Sequence, residues 1–269
     1  VGSHRIDGGS MQVGSMTAFI TYAMMIVMSF LMLTMMSVML PRGSVAAKRI
    51  DEVLQTKTSV QETAQPKHLQ DSKGVLTFDH VCFPAKPNQT TAIIGSTGCG
   101  KSTLVNLIPR LYDVTAGSIT LDGVELRDLP LEELRQQIGF VPQKGVLFSG
   151  TIASNLRFGN PDASDAEVQQ AAEIAQAMEF IQEKPDRFDS TIAQGGTNVS
   201  GGQKQRLTIA RAIAKHPKVF VFDDSFSALD LKTDAALRKA LGEQVQDSTM
   251  IIVAQRISTI LHADQILVL

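Results

Sequence analysis

The chain has 269 residues, 29.1 kDa, a net charge of −2, and 43% hydrophobic against 19% charged residues, which excludes a disordered tail. A pI near 6.2 leaves no basic surplus for nucleic acid, and two cysteines, Cys82 and Cys99, cannot make a disulfide framework and suit a reducing compartment. Those averages hide an uneven distribution: nine of the 11 methionines lie between Met11 and Met39, and no Asp, Glu, Lys or Arg occurs from Gly8 to Pro41.

Residues Val1 to Gly14 read as a short polar loop, as if the chain began partway through something larger. The 25 residues from Met16 to Leu40 are apolar apart from a few hydroxyls. As a helix they reach about 37 Å at ~1.5 Å per residue, enough to cross a ~30 Å hydrocarbon layer with some tilt. A cleaved signal peptide fits badly, because the apolar stretch is too long and no basic region immediately precedes it. A buried core helix fits badly for the same reason of length. Arg42, Lys48 and Arg49 follow at once and place the C-terminal end in the cytoplasm by the positive-inside rule. Residues 1–54 are therefore expected to form part of a membrane domain, with helical spacing continuing through Ala46 to Leu54. Residues 55–74 are polar, contain Pro66 and read as a linker.

Residues 75–269 read as an α/β domain. Val75 to Phe83 alternates like a strand, and Thr90-Thr91-Ala92-Ile93-Ile94 is a short β-branched run. Gly95-Ser96-Thr97-Gly98-Cys99-Gly100-Lys101-Ser102-Thr103 follows it, and a helical pattern follows that. This strand, G-x-x-x-x-G-K-S and helix in sequence define a phosphate-binding loop. Its backbone N–H groups cradle phosphate, Lys101 reaches the β- and γ-phosphates, and the Ser102 hydroxyl is a Mg²⁺ ligand. Cys99 is read as a small residue in the loop, with a modifiable thiol as the alternative. A second hydrophobic run, Val219 to Phe222, ends in Asp223, a carboxylate placed to hold Mg²⁺ through water. Between these runs, Ser200-Gly201-Gly202-Gln203 opens an amphipathic helix and makes a second N-terminal anion site.

These segments closely resemble the ATP-binding-cassette (ABC) family, exporter type, over nearly the whole chain from about Val13. The resemblance implies a P-loop NTPase core with a helical subdomain over about 144–204, preceded by a transmembrane α-helix. It makes Gly95 to Thr103 the Walker A loop, Val219 to Asp223 Walker B, Ser200 to Gln203 the signature, and Ser227 to Asp230 the D-loop. Gln143 matches the Q-loop residue that contacts Mg²⁺ and relays nucleotide state to the membrane part. The implied ligands are ATP and Mg²⁺, with Ser102, Gln143 and Asp223 at the metal. The implied partners are a second ABC subunit, membrane lipid and an unidentified transported substrate, with no nucleic acid. The implied location is the cell membrane, multi-pass in the complete protein, with the cassette cytoplasmic.

Two residues depart from the family pattern. Where the family usually has Glu after Walker B, this chain has Asp224; where it has a switch His, this chain has Gln255. Asp is one methylene shorter, and a misplacement of about 1 Å can cost ~10²-fold. Gln255 can donate a hydrogen bond but cannot carry a proton, and losing a positioned acid–base group typically costs ~10²–10⁴-fold. The pair resembles the degenerate-site subunit of a heterodimeric multidrug-type exporter, whose intact signature serves the partner's site. Neutral drift is the plainer reading. A soluble ABC-type ATPase and a non-hydrolysing ATP-clamp subunit are the alternative functions.

A third departure lies between Phe83 and Gly95, where the family places a further turn and strand with an aromatic that stacks on adenine. Only Pro84 to Gln89 and a short strand stand there, so residues are expected to be missing and no adenine contact is assigned. The stop at Val268-Leu269, within an apolar run, likewise reads as a cut.

Overall fold

The computed structural model describes residues 2–79, 84–244, 247–255, 260–261 and 263–269. Two compact units divide between Thr58 and Ser59.

The first unit is helical. The segment expected as a loop instead begins with α1, Gly2–Asp7. The helix stops where Gly9 takes φ +69 and the amides of Ser10 and Met11 both turn back to the Arg5 carbonyl, a glycine-assisted C-cap. Next, α2 runs unbroken over Val13–Leu54, 42 residues, passing through Pro41 and absorbing both the apolar run and the charged continuation. At ~1.5 Å per residue it is about 63 Å long. None of its residues is buried, and its most apolar 18-residue window has a mean hydropathy of 2.2. The hydroxyls of Thr17, Thr21, Ser29, Thr34 and Ser37 each donate to the carbonyl four residues earlier, at 2.8–3.1 Å. These five hydroxyls are thus satisfied within the helix, as hydrocarbon requires.

Among the described residues, the second unit is built on a five-stranded and a four-stranded sheet, with a small two-stranded sheet besides. In chain order come β1 (Leu76–Phe78), β2 (Pro84–Ala85), β3 (Thr90–Ile94), α3 (Lys101–Asn106), β4 (Ile119–Leu121), β5 (Val124–Glu125), α4 (Leu131–Gln136) and β6 (Ile138–Val141). Then follow β7 (Gly150–Thr151), α5 (Ile152–Leu156), α6 (Asp165–Ile174), α7 (Met178–Gln182), β8 (Thr191–Ile192) and α8 (Gly201–Ala214). Last are β9 (Val219–Asp223), α9 (Leu231–Gln244), β10 (Thr249–Val253) and β11 (Gln265–Val268). Of the alternating run from Val75, Leu76–Phe78 forms β1; its far end, His80 to Phe83 with Cys82, lies outside the described residues.

The larger sheet is all parallel, in the order β11-β3-β10-β9-β6. Both of its faces are covered, and β9 is buried at every position, which explains its unbroken Val-Phe-Val-Phe run. One face joins a core with the helical layer of α5 to α8, including Leu156, Ala171, Leu207, Phe220 and Phe222. The other face packs Ile93, Val219, Val221 and Ile251 against Leu76, Leu121 and Ile108. Those residues lie on and behind the smaller antiparallel sheet, β2-β1-β4-β5.

The segment from Ser59 to Gly74 belongs to this second unit. Its end is held by one carboxylate: Asp122 accepts from the Ser72 hydroxyl at 2.7 Å and from the amides of Lys73, Gly74 and Val75 at 3.0, 3.0 and 2.8 Å. Charge-assisted bonds of this kind are worth more than neutral ones. Asp122→Ala is therefore expected to destabilise the cassette by about 2–3 kcal/mol, measured as a lower urea midpoint with unchanged slope.

Candidate nucleotide site

Strand order assembles the site. In a parallel sheet the C-terminal ends lie along one edge, and ligands bind in the crevice beyond them. The ends of β3, β10, β9 and β6 are neighbours there: Ile93 pairs with Val253, Val253 with Asp223, and Val141 with Phe222. The residues that follow these ends are Gly95 to Thr103, Gln255, Asp224 and Gln143. Four segments far apart in the chain thus arrive at one crevice.

The loop after β3 turns through Gly98 and Gly100 at φ +84 and +98, a region a side chain would strain. Lys101 opens α3 almost wholly buried, and its amine donates to the carbonyls of Gly95 at 2.9 Å and Ser96 at 2.7 Å. The Cys99 thiol lies 3.6 Å from the same amine. Ser96 and Thr97 are exposed at the crown of the loop, and Ser102 and Thr103 form the first turn of α3.

Ser102 Oγ donates to Asp223 Oδ1 at 3.1 Å, so the hydroxyl and carboxylate proposed for a cation stand together. Burial raises the Asp223 pKa above the usual carboxylate value; the Ser102 hydrogen bond opposes this, Asp224 adds to it, and Lys101 opposes it. A buried, anionic oxygen beside a hydroxyl is chemistry that suits Mg²⁺, whose remaining ligands are water and phosphate. Among the described residues no three His, Cys, Asp or Glu side chains cluster as an all-protein metal cage.

Asp224 sits at φ +47, next to Asp223 in sequence, and its amide donates to the Val253 carbonyl. Its Oδ2 accepts two amide hydrogens, from Gln143 Nε2 at 3.1 Å and from Gln255 Nε2 at 2.8 Å. The three residues that sequence reasoning placed around hydrolysis therefore meet at a single oxygen. Arg256 to Thr259, which completes the Gln255 segment, lies outside the described residues.

The signature segment forms elsewhere on the unit. Ser200 caps α8, accepting from the Gln203 amide at 3.2 Å, while Gln203 Oε1 accepts from the Ser200 amide at 3.1 Å. This reciprocal capping box leaves Ser200 and Gly201 exposed at the helix start and Gly202 half-buried. Asp230 caps α9, accepting from the Thr233 amide and hydroxyl at 2.9 and 2.7 Å, contacts that hold its pKa low.

A buried strand-loop-helix cradle with Lys101, Ser102 and Asp223 at the edge of a parallel sheet defines a P-loop nucleotide-binding fold. A family model described as "ABC transporter" matches residues 78–227. An uncharacterized ABC transporter ATP-binding protein of Mycobacterium bovis is 47% identical over 286 aligned positions, covering 99% of this chain and 49% of its own length. A Bacillus subtilis protein of the same description is 42% identical over 284 positions, covering 100% of this chain and 49% of its own. Among solved structures, a bacterial Atm1-family ABC exporter with ATP bound superposes with a TM-score of 0.81 at 31% identity, over 97% of this chain and 48% of that one. The chain belongs to the ABC transporter family, and it spans about half the length of the curated relatives it matches.

Two contacts at the site carry no sequence signal that motif reading could use. Ser225 Oγ, fully buried, donates to the Val141 carbonyl at 2.8 Å, and Gln205 Nε2 donates to the Pro142 carbonyl at 3.1 Å. Both depend on backbone carbonyls, which any residue supplies.

The raised Asp223 pKa has a sign that can be tested. The folded chain holds this proton more tightly than the unfolded chain. Stability from this group is thus greatest at low pH and falls as pH rises from the unfolded value through the raised one. Asp223→Asn is expected to raise the melting temperature at neutral pH while abolishing the added stabilisation by Mg²⁺-ATP. Thermal melts with and without Mg²⁺-ATP check both halves.

Proposed function

We propose that the chain is the ATP-binding half of an ABC exporter that couples ATP binding and hydrolysis to efflux across a membrane. In this reading its own Walker site hydrolyses slowly, and Ser200 to Gln203 completes the faster site of a second, hydrolytically competent cassette. The membrane part is α2, oriented with Arg42, Lys48 and Arg49 in the cytoplasm. The transported substrate belongs to a helical bundle of which this chain carries one long helix. The M. bovis alignment occupies 286 positions, more than this chain's 269 residues, so that relative carries internal residues absent here.

ATP would be held by the loop amides, with the Lys101 amine moving from the Gly95 and Ser96 carbonyls onto phosphate oxygens. Ser102, Asp223 and Gln143 would hold Mg²⁺, which would supply positive charge against the phosphates. In this reading Asp224, directly after Walker B, would orient the water that attacks the γ-phosphate. The observation that carries the slow-site reading is the Asp224 carboxylate itself: it is one methylene short of the family's Glu, and one oxygen is engaged by both Gln143 and Gln255. Neither amide can take a proton from the water, so general-base help at this site is confined to a retracted carboxylate.

The test is ATPase turnover of the chain, alone and with its partner cassette. Turnover of the chain alone is expected near background, and robust hydrolysis would overturn the reading. Asp224→Glu combined with Gln255→His is expected to raise kcat at this site by ~10²-fold or more, and the two changes need not add because they serve one step.

A further inference from the structure

The residues Val141, Pro142 and Gln143 form a three-residue bridge between the two functional ends of the unit. On one side, the Val141 carbonyl accepts from Ser225, and the Gln143 amide reaches Asp224. On the other side, the Pro142 carbonyl accepts from Gln205 Nε2 at 3.1 Å. Gln205 lies in α8, five residues after Ser200, and only 1% of it is exposed. The loop is pressed against this helix: a Cβ on Gly145 would stand 2.8 Å from Thr208 Oγ1 and 2.9 Å from Gln205 Oε1.

The peptide plane that joins Pro142 to Gln143 holds the carbonyl that binds Gln205, and the Gln143 side chain that reaches Asp224 branches from the Cα at its other end. Proline fixes its own φ near −65°, so the plane turns chiefly about Pro142 ψ. When the Gln143 side chain leaves Asp224 for a bound nucleotide and its cation, any accompanying turn of this plane swings the Pro142 carbonyl. A buried amide that loses its partner carries a desolvation cost of about 1–3 kcal/mol, so Gln205 follows the carbonyl. Gln205 sits in the second turn of a 14-residue helix, and the first turn, Gly201 to Lys204, moves with it.

The geometry points to Gln205 as a positioning residue that transmits nucleotide occupancy at the Walker site to the signature end of α8. This inference rests on the proposed reading that the loop binds ATP and that the signature serves a second site.

The test is amide hydrogen exchange over Val199 to Arg206 in the full chain in lipid nanodiscs, with Mg²⁺ and the non-hydrolysable analogue AMP-PNP. Nucleotide affinity and thermal melting are measured on the same samples. In the unaltered chain, nucleotide is expected to change exchange in this segment. In Gln205→Met, which keeps bulk and removes the donor, the change is expected to vanish while affinity shifts by less than about tenfold. Gly145→Ala, which pushes the same contact apart from the loop side, is expected to weaken it without altering Gln205. The double variant should lose no more than Gln205→Met alone, because contacting residues do not act additively.

Retention of the response in Gln205→Met overturns the inference, as does binding without any response in the unaltered chain. Should Gln205→Met fail to fold, Gly145→Ala decides, and an undiminished response there overturns the inference. Absence of nucleotide binding to the unaltered chain overturns the functional reading and this inference together, so the two failures are told apart by the affinity measurement.

Discussion

Two carboxylates in succession, Asp223 and Asp224, stand at the end of the most deeply buried strand of the molecule, and the surroundings are arranged to tolerate them. A buried anion needs partners, and each neighbour contributes one: the Ser102 hydroxyl to the first, the Gln143 and Gln255 amides to the second. Those partners come from the segments that follow β3, β6 and β10, because the parallel order lays these strand ends near β9. The same tolerance is chemically productive, since a carboxylate whose burial raises its pKa gains from a divalent cation.

The β9 environment also accounts for how the cassette divides its labour. The β9 strand has one face against the layer of α5 to α8 and the other toward the small antiparallel sheet. A change at its C-terminal edge is therefore felt in both layers. Interiors packed at crystal-like density transmit displacement rather than absorb it. The bridge from Val141 to Gln143 lies where such displacement passes between Asp224 and α8.

Legibility from sequence followed the type of constraint. Val219 to Asp223 was readable residue by residue, because burial on both faces demands an unbroken apolar run. The phosphate loop was readable because backbone geometry demands glycine at set positions. The apolar helix was readable in its core and in its helical continuation from Ala46 to Leu54, but not the join: the two form one helix without a break through Pro41. Charged residues at helical spacing carry no mark of whether they extend a helix or begin another. The first residues misled for a related reason, since Gly8 and Gly9 signal a stop without showing that a helix precedes them. Within the site, Gln143, Asp224 and Gln255 were each singled out on motif grounds, but their meeting at one oxygen depends on strand order. Sequence spacing does not encode that order.

The backbone at Asp224 has one more consequence. With φ at +47 it occupies a left-handed conformation, where short Asp and Asn side chains are several-fold enriched over others. A longer carboxylate at this position gains reach toward a water at the cost of a less comfortable backbone. The two versions of the site are therefore not equivalent neighbours in mutational space. Drift from the long acid to the short one relaxes the chain locally, whereas the return has to be selected against a small folding penalty. A short acid is thus the conformationally easier occupant of this backbone position, independent of what it does for chemistry.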